Sequence, residues 1–162
     1  MKLKVESVLD KGFIPLSLVC REMRENTKED GQDVVIGIER NNGQISAFKT
    51  RVYKDGIGKD DINFRFIERI IKSLLWVRGG YKIIFAGSPF IGEKIRKAYE
   101  KDGLRAFDNN FMARVYENPF EVVLTDLEHA PETKEASSPV GRHLDGCRIG
   151  FDAGGSDRKV SA

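Results

Sequence analysis

Phe66, Ile67, Ile70, Ile71, Leu74 and Leu75 recur at three-and-four spacing, stop at Gly79-Gly80, and give way at once to the apolar run Tyr81 to Ala86. This is the feature that most restricts what the chain can fold into. The first pattern is an amphipathic helix with a core-facing stripe, opened by Asp60 or Asp61 as cap, and the glycines supply its left-handed end. The second is a buried strand of the parallel type. After that strand, Gly87-Ser88-Pro89 forms a short turn with Ser88 as N-cap and Pro89 at the first helical position, opening a helix to about Lys101. Asp108 can cap a further short helix through Tyr116, and Phe120 to Thr125 reads as another buried strand. The alternation predicts an α/β fold with a three-layer sheet.

The N-terminal part has weaker signals. Lys2 to Leu9 alternates as a strand does, Phe13 to Met23 is apolar and ambiguous between a strand and a short helix, with strand the reading taken, and the polar run Arg24 to Gln32 reads as an exposed loop connecting two strands. Asp33 to Glu39 and Gln44 to Tyr53 flank Asn42-Gly43, which can supply the positive φ values of a tight hairpin. From Glu128 to Asp145 prolines and small polar residues replace periodicity, marking a linker or a strap on the surface. The expected organisation is an α/β accessory domain over residues 1–126, a linker over 127–145, and the start of a second unit over 146–162.

Charge and cysteine usage exclude several function classes. Lys+Arg 27 against Asp+Glu 25, a formal charge of +2, does not advertise nucleic acid or a membrane surface as partner. Cys20 and Cys147 are far apart and form no CxxC pair, so neither a disulfide framework nor a zinc site is expected, and a cytoplasmic location fits. His129 and His143 match no metal-ligand spacing. Trp76 and Phe64 could stack bases, but each borders a core stripe and packing is the stronger reading. The chain contains neither GxxxxGK[ST] nor a GxGxxG opening a helix.

The segment that carries chemistry is CRIGFDAGGSDRKVSA, starting at Cys147. Gly154 and Gly155 let phosphates approach the backbone amides, Ser156 adds a hydroxyl donor, and Asp152 can hold the water shell of a Mg²⁺ that neutralises those phosphates. Lys159, or Arg158 in the other register, adds positive charge or faces solvent. An ordinary glycine hairpin has the same composition and needs no ligand. Gly87-Ser88-Pro89, at the end of a strand and the start of a helix, is a second place where an anion could bind.

GFDAGGSDRK resembles the first phosphate motif, DxGG[ST] with a nearby lysine, of the ROK sugar kinases and regulators. Asp152, Gly154, Gly155 and Ser156 match it directly, and Asp157 and Arg158 stand before Lys159 where the family has the lysine at once. The stretches GIERNNGQISAF and LLWVRGG, with that ending, look like ROK proteins carrying an extra N-terminal domain. YKIIFAGSPFIGEKIRKAY faintly resembles the family's closing strand–helix unit, which holds adenosine. The resemblance implies a mixed sheet of the ribonuclease H-like or actin-like ATPase type followed by the start of a kinase-fold lobe. It also implies Mg and ATP as cofactors, nucleotide and a sugar as ligands, and the capacity for a homo-oligomer. Two functions follow as expectations: an ATP-dependent sugar kinase in which this portion is not catalytic alone, or a sugar- or nucleotide-sensing assembly module. No catalytic base can be matched.

Overall fold

The computed structural model describes residues 4–137, 141 and 145–161. Helix α1 (Leu16–Asn26) leads into a hairpin of β1 (Gly31–Arg40) and β2 (Gln44–Tyr53). Helix α2 (Asp60–Arg78), strand β3 (Lys82–Ala86), helices α3 (Pro89–Ala98) and α4 (Ala106–Tyr116) and strand β4 (Glu121–Thr125) follow. The sheet order is β2-β1-β3-β4, with β3 antiparallel to β1 and parallel to β4. The chain is thus α/β with a mixed four-stranded sheet. A separate hairpin, β5 (Gly150–Ala153) and β6 (Arg158–Ser161), comes after it.

The hairpin and the long helix form for the reasons their residues give. Asn42 and Gly43 take φ of 63° and 62°, so the ten-residue register from Gly31↔Tyr53 to Arg40↔Gln44 closes without splaying. In α2, Phe66, Ile67, Ile70, Ile71 and Leu75 are buried, and Gly79 ends the helix at φ 72°. Lys59, rather than an aspartate, holds the cap position, and Asp60 and Asp61 lie in the first turn against the positive end of the helix dipole. Buried Asn63 accepts from the Tyr53 amide at 3.0 Å and donates to the Tyr53 carbonyl at 2.8 Å, which fastens α2 to the end of β2.

Three N-terminal expectations are corrected. Phe13 to Met23 is not a strand: Leu16, Val19, Cys20 and Met23 lie at helical spacing, and from Leu16 the segment is α1, which packs them on the core. Residues 4–9 form no strand, because no edge of the sheet takes up their backbone; Lys2 and Leu3 lie outside the described residues. The Arg24 to Gln32 loop shrinks to a turn between α1 and β1. Thr27, fully buried, donates its hydroxyl to the Met23 carbonyl at 2.8 Å and caps the helix.

The sheet carries its helices on one face. Val34, Ile36, Ile38, Val52, Ile83 and Phe85 share a single buried cluster with residues of α1, α2, α3 and α4. The registers Ile36↔Phe48, Ile36↔Phe85 and Phe85↔Leu124 place these strand residues on one side. Val35 and Ala86, of opposite parity, are buried outside that cluster. The arrangement is therefore two layers of helix and sheet, not the three expected, and β4 is an edge strand with Val123 exposed rather than a fully buried one.

What crosses the second face is chain, not helix. Residues 126–136 run back as a strap: Lys134 makes a two-bond antiparallel bridge to Ile45, each N···O 2.8 Å, and Pro131 lies over Gly37. A Cβ at Gly37 would meet the Pro131 ring at 2.7 Å, so this strand position needs glycine for close approach. Glu135 receives hydrogen bonds from Ser46 and Arg40.

Candidate functional site

The segment Gly150 to Ser161 forms a hairpin with the register Phe151↔Val160, Asp152↔Lys159 and Ala153↔Arg158. The Gly154 amide donates to the Asp157 carbonyl at 2.8 Å and closes the turn over Gly155 and Ser156. Space above Gly155 is open, with nothing within 4 Å of where a Cβ would stand. Asp152, at the end of β5, makes no ion pair among the described residues, so its carboxylate is free to meet solvent or a hydrated cation. Lys159 lies opposite Asp152 in register, but its ammonium pairs with Asp157 at 3.3 Å. Every residue of both strands is exposed, Phe151 and Val160 included.

These facts bear on whether Mg and nucleotide phosphate suit the hairpin. The open backbone at Gly155 and the Asp152 carboxylate fit a phosphate neutralised by a metal that the protein meets through water, whereas Gly154 is covered by Asp157, to whose carbonyl its amide donates. Direct ligation does not fit: among the described residues no group of three His, Cys, Asp or Glu side chains could hold a metal ion. Asp152, Gly154, Gly155 and Ser156 are brought together at one turn, while Lys159 is turned to Asp157.

The second candidate, Gly87-Ser88-Pro89, is already filled from within. Ser88 caps α3 as expected, its Oγ accepting from the Ile91 amide at 3.1 Å. The same hydroxyl donates to Asp55 Oδ2 at 2.6 Å, and Gln32 donates to Asp55 Oδ1 at 2.7 Å. A carboxylate of the protein occupies the place of an incoming anion, and like charge disfavours a second. The turn is a structural cap.

The remaining singled-out residues are placed as follows. His129 Nδ1 lies 2.7 Å from Asp126 Oδ1 in an exposed turn of the strap, and the contact holds the Asp126 carboxyl below its usual range; His143 lies outside the described residues. Cys20 is half-buried and burial pushes its thiol up, which disfavours a nucleophilic thiolate. Cys147 is exposed and precedes β5. Phe64 packs beside the core with the Lys94 ammonium over its ring. Trp76 is 47% exposed and stacks on Phe107 and Phe111, an arrangement the sequence reading did not foresee.

No helix among the described residues is long and apolar enough to cross a membrane. Comparison of the chain with protein-family models, curated proteins and solved structures finds no match.

Proposed function

We propose that this chain is the leading part of a ROK-like protein with an actin-like ATPase lobe, whose β5–β6 hairpin is the first phosphate-binding element of an ATP-dependent sugar kinase. The observation that carries the reading is a turn open at Gly155, with Ser156 beside it and, at the strand end, an Asp152 that makes no ion pair among the described residues. In this reading the Gly155 and Ser156 amides and the Ser156 hydroxyl hold phosphate oxygens, the Gly154 amide stays on the Asp157 carbonyl, and Asp152 orients the water shell of Mg²⁺. The metal supplies charge neutralisation of the phosphates when bound. Residues 1–126 form the accessory unit in this reading, and 127–145 the linker to the hairpin.

A sensing module is the second reading, and one contact favours it. The Lys159–Asp157 pair ties off the cation that a phosphotransfer site would aim at its nucleotide. The readings separate on turnover by the protein with its full ATPase lobe, because a kinase consumes ATP when a sugar is present and a sensor holds the nucleotide unchanged. Both rest on the hairpin binding Mg·ATP. Titrating Mg·ATP while following the backbone amide resonances of Gly154, Gly155 and Ser156 tests this directly. Shifts should require Mg²⁺ and vanish in Asp152→Ala; resonances that stay still in the unsubstituted chain would reduce the motif to a plain glycine turn.

A further inference from the structure

Helix α4 is built inside out. Its buried residues are Asp108, Asn109 and Met112, whereas Phe107, Phe111 and Val115 face solvent, 68%, 41% and 56% exposed, with Leu104 continuing the row before the helix. A surface helix normally does the reverse, because apolar area left in water weakens the fold. The inversion is held by specific bonds. Asn109 donates to the Tyr99 carbonyl at 2.6 Å, and Asp108 accepts from the Trp76 indole at 2.6 Å with Arg105 at 3.7 Å on its other oxygen. Trp76, Phe107 and Phe111 then stack on one another at centroid separations of 5.2 to 6.3 Å.

Beside this aromatic surface runs a groove of about 660 Å³ lined by Arg65, Arg69, Lys72, Trp76 and Arg105, among others. Arg65, Arg69, Lys72 and Trp76 fall at four-three-four spacing on one face of α2. Arg105 is held by buried Glu68, which raises its affinity for its proton, and forms part of the wall. Arg65 and Lys72 have no ion-pair partner among the described residues. An apolar, aromatic-centred patch with arginine at its border has the composition of a protein interface, and its rigid rings need little ordering on contact.

We infer that the α2–α4 face docks an apolar polypeptide segment flanked by carboxylates. Charge complementarity selects the flanks: Arg65, Arg69 and Lys72, which make no ion pair among the described residues, favour acidic neighbours for the seated apolar residues, while Arg105 is already held by Glu68 and Asp108. A second copy of this chain would bring the same cations to the seam. A nucleic acid would leave the aliphatic Leu104 and Val115 without a role, and the rings are stacked on each other instead of being splayed to receive bases.

Trp76 is the chain's one tryptophan, so its emission reports on the site without a label. The probe is a short amphipathic peptide with leucines at three-and-four spacing and glutamates elsewhere, compared with a counterpart in which lysines replace the glutamates. The glutamate peptide should shift Trp76 emission saturably, and the lysine peptide should bind at least about tenfold more weakly. Phe107→Ala and the pair Arg65→Glu with Lys72→Glu should each weaken binding by a similar factor with the thermal transition unchanged, since all three side chains stand at the surface. Equal binding of both peptides, or of neither, overturns the inference. So does a concentration-dependent dimer in sedimentation that Phe107→Ala abolishes, which would give the face to a second copy. Tighter quenching of Trp76 by a single-stranded oligonucleotide than by the peptide overturns it too.

Discussion

The indole of Trp76 donates to Asp108 Oδ1 across 2.6 Å, joining the last turns of α2 to the first turn of α4. Asp108 is almost fully buried, so the bond replaces hydration that the carboxylate has lost. Trp76→Phe keeps most of the ring stacking and removes the donor. It should destabilise the fold by about 1 to 3 kcal/mol, measured by urea denaturation followed in the far-ultraviolet, because a buried acceptor is left with Arg105 alone. A variant as stable as the parent would mean that Asp108 does not depend on the indole.

Ser88 serves two partners at once, capping α3 through the Ile91 amide and donating to Asp55. Ser88→Ala should cost about 1 to 2 kcal/mol, the upper part of the range for a lost cap. Asp55 is exposed, so Asp55→Ala, which removes a solvated acceptor of the Ser88 and Gln32 bonds but leaves the cap intact, should cost about 1 kcal/mol or less. Thermal unfolding of both variants gives the order; an equal or reversed order would place the weight on Asp55.

Gly37 can be tested by adding one methyl group. Its backbone is not in the left-handed region, so Gly37→Ala introduces no torsional strain, only the clash with Pro131. The strap should lift, at a cost of about 1 to 3 kcal/mol. Hydrogen exchange should quicken at the Ile45 and Lys134 amides while the Ile36 and Ile38 amides stay protected. Slow exchange at Lys134 in the variant would show that the strap tolerates the methyl.

Glu135 makes the same strap sensitive to acid. Hydrogen bonds from Ser46 and then Arg40 hold its carboxyl below the ordinary range. A group depressed in the folded state stabilises above its free value and loses that contribution as pH falls through the folded one. Strap attachment should therefore be complete at neutral pH and weaken below the usual glutamate range, with Asp126, also depressed through His129, releasing its turn in the same direction. Following the Lys134 amide during an acid titration checks this; in Glu135→Gln the pH dependence should flatten.

The elements that the sequence predicts well are those whose local chemistry and tertiary role agree. The β1–β2 turn needs Asn42 and Gly43 whatever packs nearby, and the α2 stripe is apolar because it meets the sheet. Helix α1 had a readable signal in Leu16, Val19, Cys20 and Met23, but an apolar segment this short fits a strand or a helix, and the side of it that packs on the core shows only in the fold. The Asp152 hairpin could be read because glycines and an acid at fixed offsets constrain a turn locally. The α2–α4 face could not. Apolar residues at helical spacing ordinarily face a core, and the long-range bonds of Asp108 to Trp76 and Asn109 to Tyr99 that accompany the opposite orientation of α4 join residues far apart in sequence.

The strap also determines how the sheet bears load. Strand β4 is held along its backbone by β3 alone, in parallel register, and a pull on the residues that follow Thr125 would unzip it one pair at a time. The bridge between Lys134 and Ile45 and the grip of Arg40 and Ser46 on Glu135 intercept that pull first. Tension arriving from residue 137 onward is carried into the β1–β2 hairpin, the longest paired segment of the fold, and the weakly held edge strand is mechanically shielded.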